Sequence, residues 1–321
     1  MSHAPNHPWL ESDKTRMAMS LDQDRLGHAP MICGPVGLGK TALADWLARR
    51  LLCLSPAGKD PCGECPSCRM IDAGTHPDQF RVGIPEDKRE IPVDSIRELT
   101  DSLQLTPSIG TRRLGLIEPA EAMNRNAANA LLKTLEEPHP GAWLILVSHQ
   151  PGRLPATVRS RCQIFTVRPP VPSVGREWLR GLCPDASDDE LVEALDLSAG
   201  APLAARALLE EGQLDFGHAV LDGLIGIADG EAIHRILDDR WVESGLQTWC
   251  WLALWCSVFM RHSLELEGQL RYGERKLPSN LDPACLARLW EQALSGTALS
   301  RGNARQDLLL GRWLLEWQRM C

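Results

Sequence analysis

Residues Gly34, Pro35, Val36, Gly37, Leu38, Gly39, Lys40 and Thr41 form a G-x-x-x-x-G-K-T stretch, and this constrains the fold more than any other feature. Such a loop works only where a strand runs into it and a helix begins at its end, because its backbone N–H groups must converge on a phosphate at the helix N-terminus. The flanks comply. Residues 29–33 are apolar, and over 41–52 Leu43, Trp46, Leu47 and Leu51 recur at the period of a helix. In this setting Lys40 supplies a point charge and Thr41 a hydroxyl for Mg²⁺. Residues 113–117 are expected as a further strand, and they run into Glu118-Pro119. Hydrolysis needs a carboxylate near the metal and a group that orients the attacking water, and proline has no side chain for the second task. The motif therefore predicts a nucleotide pocket with impaired hydrolysis.

The first half alternates short apolar runs with helical patterns, which predicts a parallel sheet with flanking helices. Strands are expected at 29–33, 79–82, 113–117, 143–147 and 162–167, with a helix over 127–136. The run Arg168-Pro169-Pro170-Val171-Pro172 breaks helix and sheet alike and sets a first boundary. Three domains are expected: 1–168 as the nucleotide-binding α/β domain, 169–211 as a small helical domain with helices near 177–182, 189–197 and 203–210, and 212–321 as a helical bundle. At 321 residues the chain is long enough for this division.

A net charge of -8 argues against a free-standing nucleic-acid binder, which needs a concentrated basic face. Residues 1–16 carry no apolar targeting core and no segment offers about 20 uninterrupted apolar residues, so a cytoplasmic protein with no membrane association is expected. Cys53, Cys62, Cys65 and Cys68 provide enough thiolates to close a tetrahedral Zn²⁺ shell. Disulfides and an Fe–S cluster are the alternatives, the first disfavoured by a reducing compartment. A structural zinc would staple an insert at 53–68 too short for its own core. A DNA-reading role for this insert is a weak rival, since Lys59 and Arg69 are its only basic residues. His76 is expected to order the turn that follows. Arg161, at a domain edge, carries little signal by itself. Trp249, Trp251 and Trp255 are read as core or interface in preference to a base-stacking platform.

With the phosphate loop, the four-cysteine insert, the 74–78 stretch Gly74-Thr75-His76-Pro77-Asp78, the run from Asn129 to Pro138 and Ser160-Arg161-Cys162 in this order, the chain resembles the clamp-loader subunits of the AAA+ family, and among them the delta-prime subunits of DNA polymerase III. The resemblance is dense over 25–168, thinner to about 212 and faint beyond. It implies an α/β AAA+ module, a helical lid and an all-α collar. It also implies a place in a hetero-oligomer within the polymerase holoenzyme, with tau/gamma-like motor subunits and a delta-like clamp opener, acting on the sliding clamp and primed DNA. In such a stator Arg161 projects as an arginine finger into a neighbour's ATP site. The resemblance places Ser148 as a γ-phosphate sensor and Glu118 beside Mg²⁺, with ATP or ADP at the loop and own-site turnover near nil. It puts Leu203 where motor subunits carry a phosphate-sensing arginine, with Arg206 one turn on. The rival is an active motor subunit whose acid comes from Glu118 or from Glu121, which would have to turn back past the proline.

Overall fold

The structure is a computed structural model that describes residues 6–264, 275, 281–300, 302 and 304–321. The chain divides into two compact units, the first comprising residues 1–178 and 200–204 and the second 179–199 and 205–321.

The first unit is built on five parallel strands: β1 (Pro30–Cys33), β2 (Gln79–Val82), β3 (Arg113–Ile117), β4 (Ala142–Ser148) and β5 (Gln163–Thr166), in the spatial order β2-β3-β4-β1-β5. All five fall where the apolar runs predict them, with ends shifted by a residue or so. Period-two alternation sends Ile32, Leu114, Leu116, Ile145 and Val147 to one face, against α1 (Glu11–Asp22) and α2 (Lys40–Leu52). Met31, Cys33, Ile117, Leu144 and Leu146 go to the other, against α4 (Val93–Leu103) and α5 (Arg125–Glu136). Both faces are thus covered, as a parallel sheet requires. The short helix α3 (Pro66–Asp72) starts in the cysteine-rich insert and runs past its end, and α6 (Ala156–Arg159) precedes β5. The expected helix over 127–136 starts two residues earlier, where the Asn124 side chain accepts the Ala127 N–H as an N-cap. Helix α1 and helix α4 were not anticipated, although Ile96, Leu99 and Leu103 have helical spacing and are buried.

Helix α7 (Pro172–Leu182) begins in the first unit and ends in the second. In the second unit, α8 (Asp188–Leu197) opens with a capping box between Ser187 and Glu190. Helix α9 (Pro202–Glu210) begins in the first unit and ends in the second, which continues with α10 (Gln213–Ala228), α11 (Ile233–Ile236), α12 (Asp239–Glu243), α13 (Gly245–Ser263), α14 (Pro283–Leu299) and α15 (Gln306–Met320). Tryptophans form its core. Trp255 donates to Gly217 O, Trp313 to Leu289 O and Trp317 to Leu224 O, each at 2.9 Å. Trp249, Trp251 and Trp255 are all buried, which removes the base-stacking reading. No described helix is long and apolar enough to cross a membrane.

Candidate functional site

The glycine loop leaves the C-terminal end of β1 and enters α2, at the edge of a parallel sheet where ligands of α/β folds gather. Its geometry demands glycine. Gly34 has φ +147° and a Cβ there would lie 2.5 Å from Val167 O; Gly37 and Gly39 have φ of +80° and +78°. Gly39 is the N-cap of α2, so the helix N-terminus faces the loop. Leu38 is buried and anchors the loop, its carbonyl accepting the Trp9 indole N–H at 3.0 Å, whereas Pro35 and Val36 are exposed. Gly37 O accepts the Leu203 N–H at 3.0 Å, so the start of α9 rests on the loop.

Lys40 is only 2% exposed, and its Nζ donates to Pro35 O at 2.5 Å. Burial pulls its ammonium below the ordinary lysine value, opposed by the charge of Glu121, then of Glu118, then of Cys33. Thr41 Oγ1 donates to Glu118 Oε1 at 2.5 Å, which brings the hydroxyl and the carboxylate expected beside a metal together. An all-oxygen pair of this kind suits Mg²⁺, which keeps several waters and takes one or two carboxylates. Ser148, the last residue of β4, pairs with Cys33 and is fully buried, and its Oγ has no hydrogen-bond partner.

Glu121, with Glu118 a candidate acid of the rival motor reading, has to turn back past Pro119, and the chain does turn back. After the cis Glu118–Pro119 peptide, residues Ala120–Ala122 form a 3₁₀ turn. Glu121 Oε1 accepts the backbone N–H groups of His149 at 2.9 Å and Gln150 at 3.2 Å, while its Oε2 is buried without a partner. His149 was not singled out at all. Its Nδ1 is likewise buried and unpartnered, and its imidazole is held below its ordinary value by burial first and by Lys40 second. The sequence signal for this arrangement is a second carboxylate three residues after Glu118, just past the proline.

At the opposite end of α2, Cys53 is the C-cap residue, and with Cys62, Cys65 and Cys68 it forms a cluster whose sulfurs all lie within 4.8 Å of one another. Cys53 and Cys62 sulfurs are 3.5 Å apart, and those of Cys62 and Cys68 4.0 Å. A tetrahedron with Zn–S bonds of about 2.3 Å has edges of about 3.8 Å, so the four thiols could bind zinc. Backbone N–H groups already point at them: Cys62 N at Cys53 Sγ, Cys65 N at Cys62 Sγ and Cys68 N at Cys65 Sγ. Cys62 is pulled down to about 6 by the Glu64 and Cys65 N–H groups and the Ser55 hydroxyl, while burial pushes Cys68 up to about 12.

His76 fixes this insert to the sheet. Its Nδ1 accepts the Asp78 N–H at 3.1 Å, which leaves the proton on Nε2 facing Ser67 Oγ at 2.9 Å, and Ser67 Oγ donates to Leu52 O at 2.7 Å. Asp78, fully buried, accepts the N–H groups of Ser108 and Ile109 at 2.8 and 2.7 Å and pairs with Arg113 at 3.0 Å.

Arg161, which the resemblance directs at a neighbour's ATP site, lies between α6 and β5. Its guanidinium is exposed, donates to Thr157 O at 3.0 Å and meets Glu136 Oε1 at 2.6 Å. Cys162 beside it turns inwards, its thiol pushed up to about 12 by burial and then by Cys33. In the second unit, Arg206 is paired with Glu210 at 2.7 Å within α9.

The family model described as "DNA polymerase III, delta subunit" matches residues 10–171. The chain is 37% identical over 320 residues to DNA polymerase III subunit delta' of Pseudomonas aeruginosa, covering 97% of each. It is 39% identical over 204 residues to subunit delta' of Escherichia coli, covering 64% of this chain and 61% of the relative. Subunit tau of Escherichia coli is 35% identical over 154 residues, 48% of this chain and 24% of that protein. Among solved structures, a DNA polymerase III gamma subunit-related protein from Thermotoga maritima aligns with 95% of this chain and 99% of its own at TM-score 0.51 and 16% identity, a likeness of fold. The α/β AAA+ module with a helical C-terminal region, which the resemblance implies, is the fold found.

Proposed function

This chain belongs to the family of DNA polymerase III delta' subunits, and on that premise we propose that it is the stator of a clamp loader. It assembles with tau/gamma-like motor subunits and a delta-like clamp opener in the cytoplasm, and the complex places the sliding clamp on primed DNA. The proposed division of labour is a AAA+ domain at 1–168, a lid at 169–211 and a collar at 212–321. Its own pocket, formed by Gly34 to Thr41 with Glu118 and Ser148, holds ATP or ADP with Mg²⁺ and turns it over slowly or not at all. Cys53, Cys62, Cys65 and Cys68 hold one structural Zn²⁺.

The observation that carries this reading is the contrast between two charges. Lys40 is buried in a complete phosphate loop beside Glu118-Pro119, where no side chain from position 119 can activate water. Arg161, by contrast, is held outward by the Thr157 carbonyl and an exposed carboxylate. A guanidinium presented on a short helix end suits delivery to a partner's γ-phosphate, where it offsets transition-state charge. Arg161→Ala in a reconstituted complex tests this: assembly stays intact and DNA-stimulated ATPase falls.

Glu121 favours a second reading, an active motor subunit, because its charge acts on Lys40 of the loop more strongly than that of Glu118. Phosphate release by the isolated chain, abolished by Lys40→Ala, would support that reading over the stator.

A further inference from the structure

Three buried polar atoms at the C-terminal ends of β3 and β4 have no partner: Ser148 Oγ, Glu121 Oε2 and His149 Nδ1. Leaving such groups unsatisfied is costly, and of the three the Ser148 hydroxyl is the donor that a phosphate bound at the loop would satisfy. Ser148 is the one of them on a strand that directly adjoins the loop: it pairs with Cys33, and its carbonyl accepts the Gly34 N–H at 3.3 Å. Thr41 Oγ1 and Glu118 are the groups that would hold the Mg²⁺ of a bound nucleotide, and the metal would supply charge to its phosphates. Ser148 Oγ, unpartnered on the strand beside the loop, is the hydroxyl that a terminal phosphate at the loop would meet.

A lone hydroxyl at a strand end is a poor sensor unless the backbone behind it is fixed. Glu121 does this, since one carboxylate oxygen takes the N–H groups of both residues that follow Ser148. Charged acceptors of backbone N–H groups are the stronger class of hydrogen bond. We propose that Glu121 is a positioning residue of this chain's own nucleotide site, holding Ser148 so that the pocket prefers a triphosphate to a diphosphate. The proposal rests on the reading of Gly34 to Thr41 as a nucleotide pocket. It assigns Glu121 no part in bond breaking: the carboxylate acts through the 149–150 backbone, and an amide oxygen could do the same.

The test uses the full-length chain and isothermal titration with Mg²⁺-ADP and with a Mg²⁺-bound, non-hydrolysable ATP analogue. The wild-type chain binds the analogue more tightly than ADP. Ser148→Ala and Glu121→Ala each lower the analogue-to-ADP affinity ratio by about tenfold or more, the scale of one hydrogen bond to a charged group. The double variant lowers it no further, because both act on one contact. Glu121→Gln keeps the ratio. The proposal is overturned if the wild-type ratio is near one, if Glu121→Ala leaves it unchanged or weakens both ligands equally, or if Glu121→Gln loses it as fully as alanine does. A wild-type chain that binds neither ligand refutes the pocket itself, an outcome distinct from binding without the predicted dependence on Glu121.

Discussion

Asp78 and Arg113 form a pair that burial makes unforgiving, for Asp78 is fully buried and Arg113 only 7% exposed. Replacing Asp78 with asparagine preserves the shape but strands a guanidinium in the interior. The expected cost is about 3–5 kcal/mol of stability, measured by urea unfolding, and a loss under ~1 kcal/mol would contradict it. This role was not readable beforehand: the sequence shows Asp78 only as the end of a turn, while its partners at 108, 109 and 113 are about 30 residues away. Glu121 was hidden for a related reason, since its partners are two backbone groups beyond the next strand. The phosphate loop could be read directly, because its chemistry is local and its spacing is dictated by the ligand. Arg161 is an intermediate case. Nothing local distinguishes it from a solvated arginine, and only the family's motif order singled it out.

At the level of elements, α2 joins two sites: its N-terminus faces the glycine loop and its C-cap residue is the first cysteine of the four-thiol cluster. The sequence announced both, one through glycine spacing and the other through clustered thiols beside turn residues. It did not announce how the insert is tied down, through Ser67 and His76 onto Leu52 O. One zinc per chain is expected by elemental analysis, falling to none in Cys65→Ser. Loss of that ion should expose residues 53–68 to limited proteolysis while ADP affinity stays within about twofold, because structural zinc supplies local folding energy and the loop lies at the far end of α2. Unaltered proteolysis after chelation would deny the metal a structural role. The strands were legible because each is an apolar run of the right length, whereas α4 was passed over although its buried stripe of Ile96, Leu99 and Leu103 is helical.

Across the whole molecule, acid should weaken the first unit. His7, His28, His76 and His149 are all held below the ordinary imidazole value of 6.5, burial being the leading cause for each. Because their folded values are depressed, the unfolded chain takes up protons first as pH falls through 6.5, and stability is full above that point and declines below it. A urea midpoint that drops between about pH 7.5 and about pH 5.5 is expected, and an unchanged midpoint would show that these imidazoles stay accessible. The helical nature of the last third was legible from leucine and tryptophan spacing, but which indole bonds which carbonyl was not, since those contacts join helices far apart in the chain. In the proposed role this subunit lends a cation to another's nucleotide and does little with its own. DNA-stimulated ATPase of the reconstituted complex, wild type against Arg161→Ala, tests it most directly. A single arginine finger is worth ~10³–10⁵ in rate at the site it serves. An intact complex with clearly reduced turnover is the result predicted, and an intact complex with undiminished turnover would contradict it.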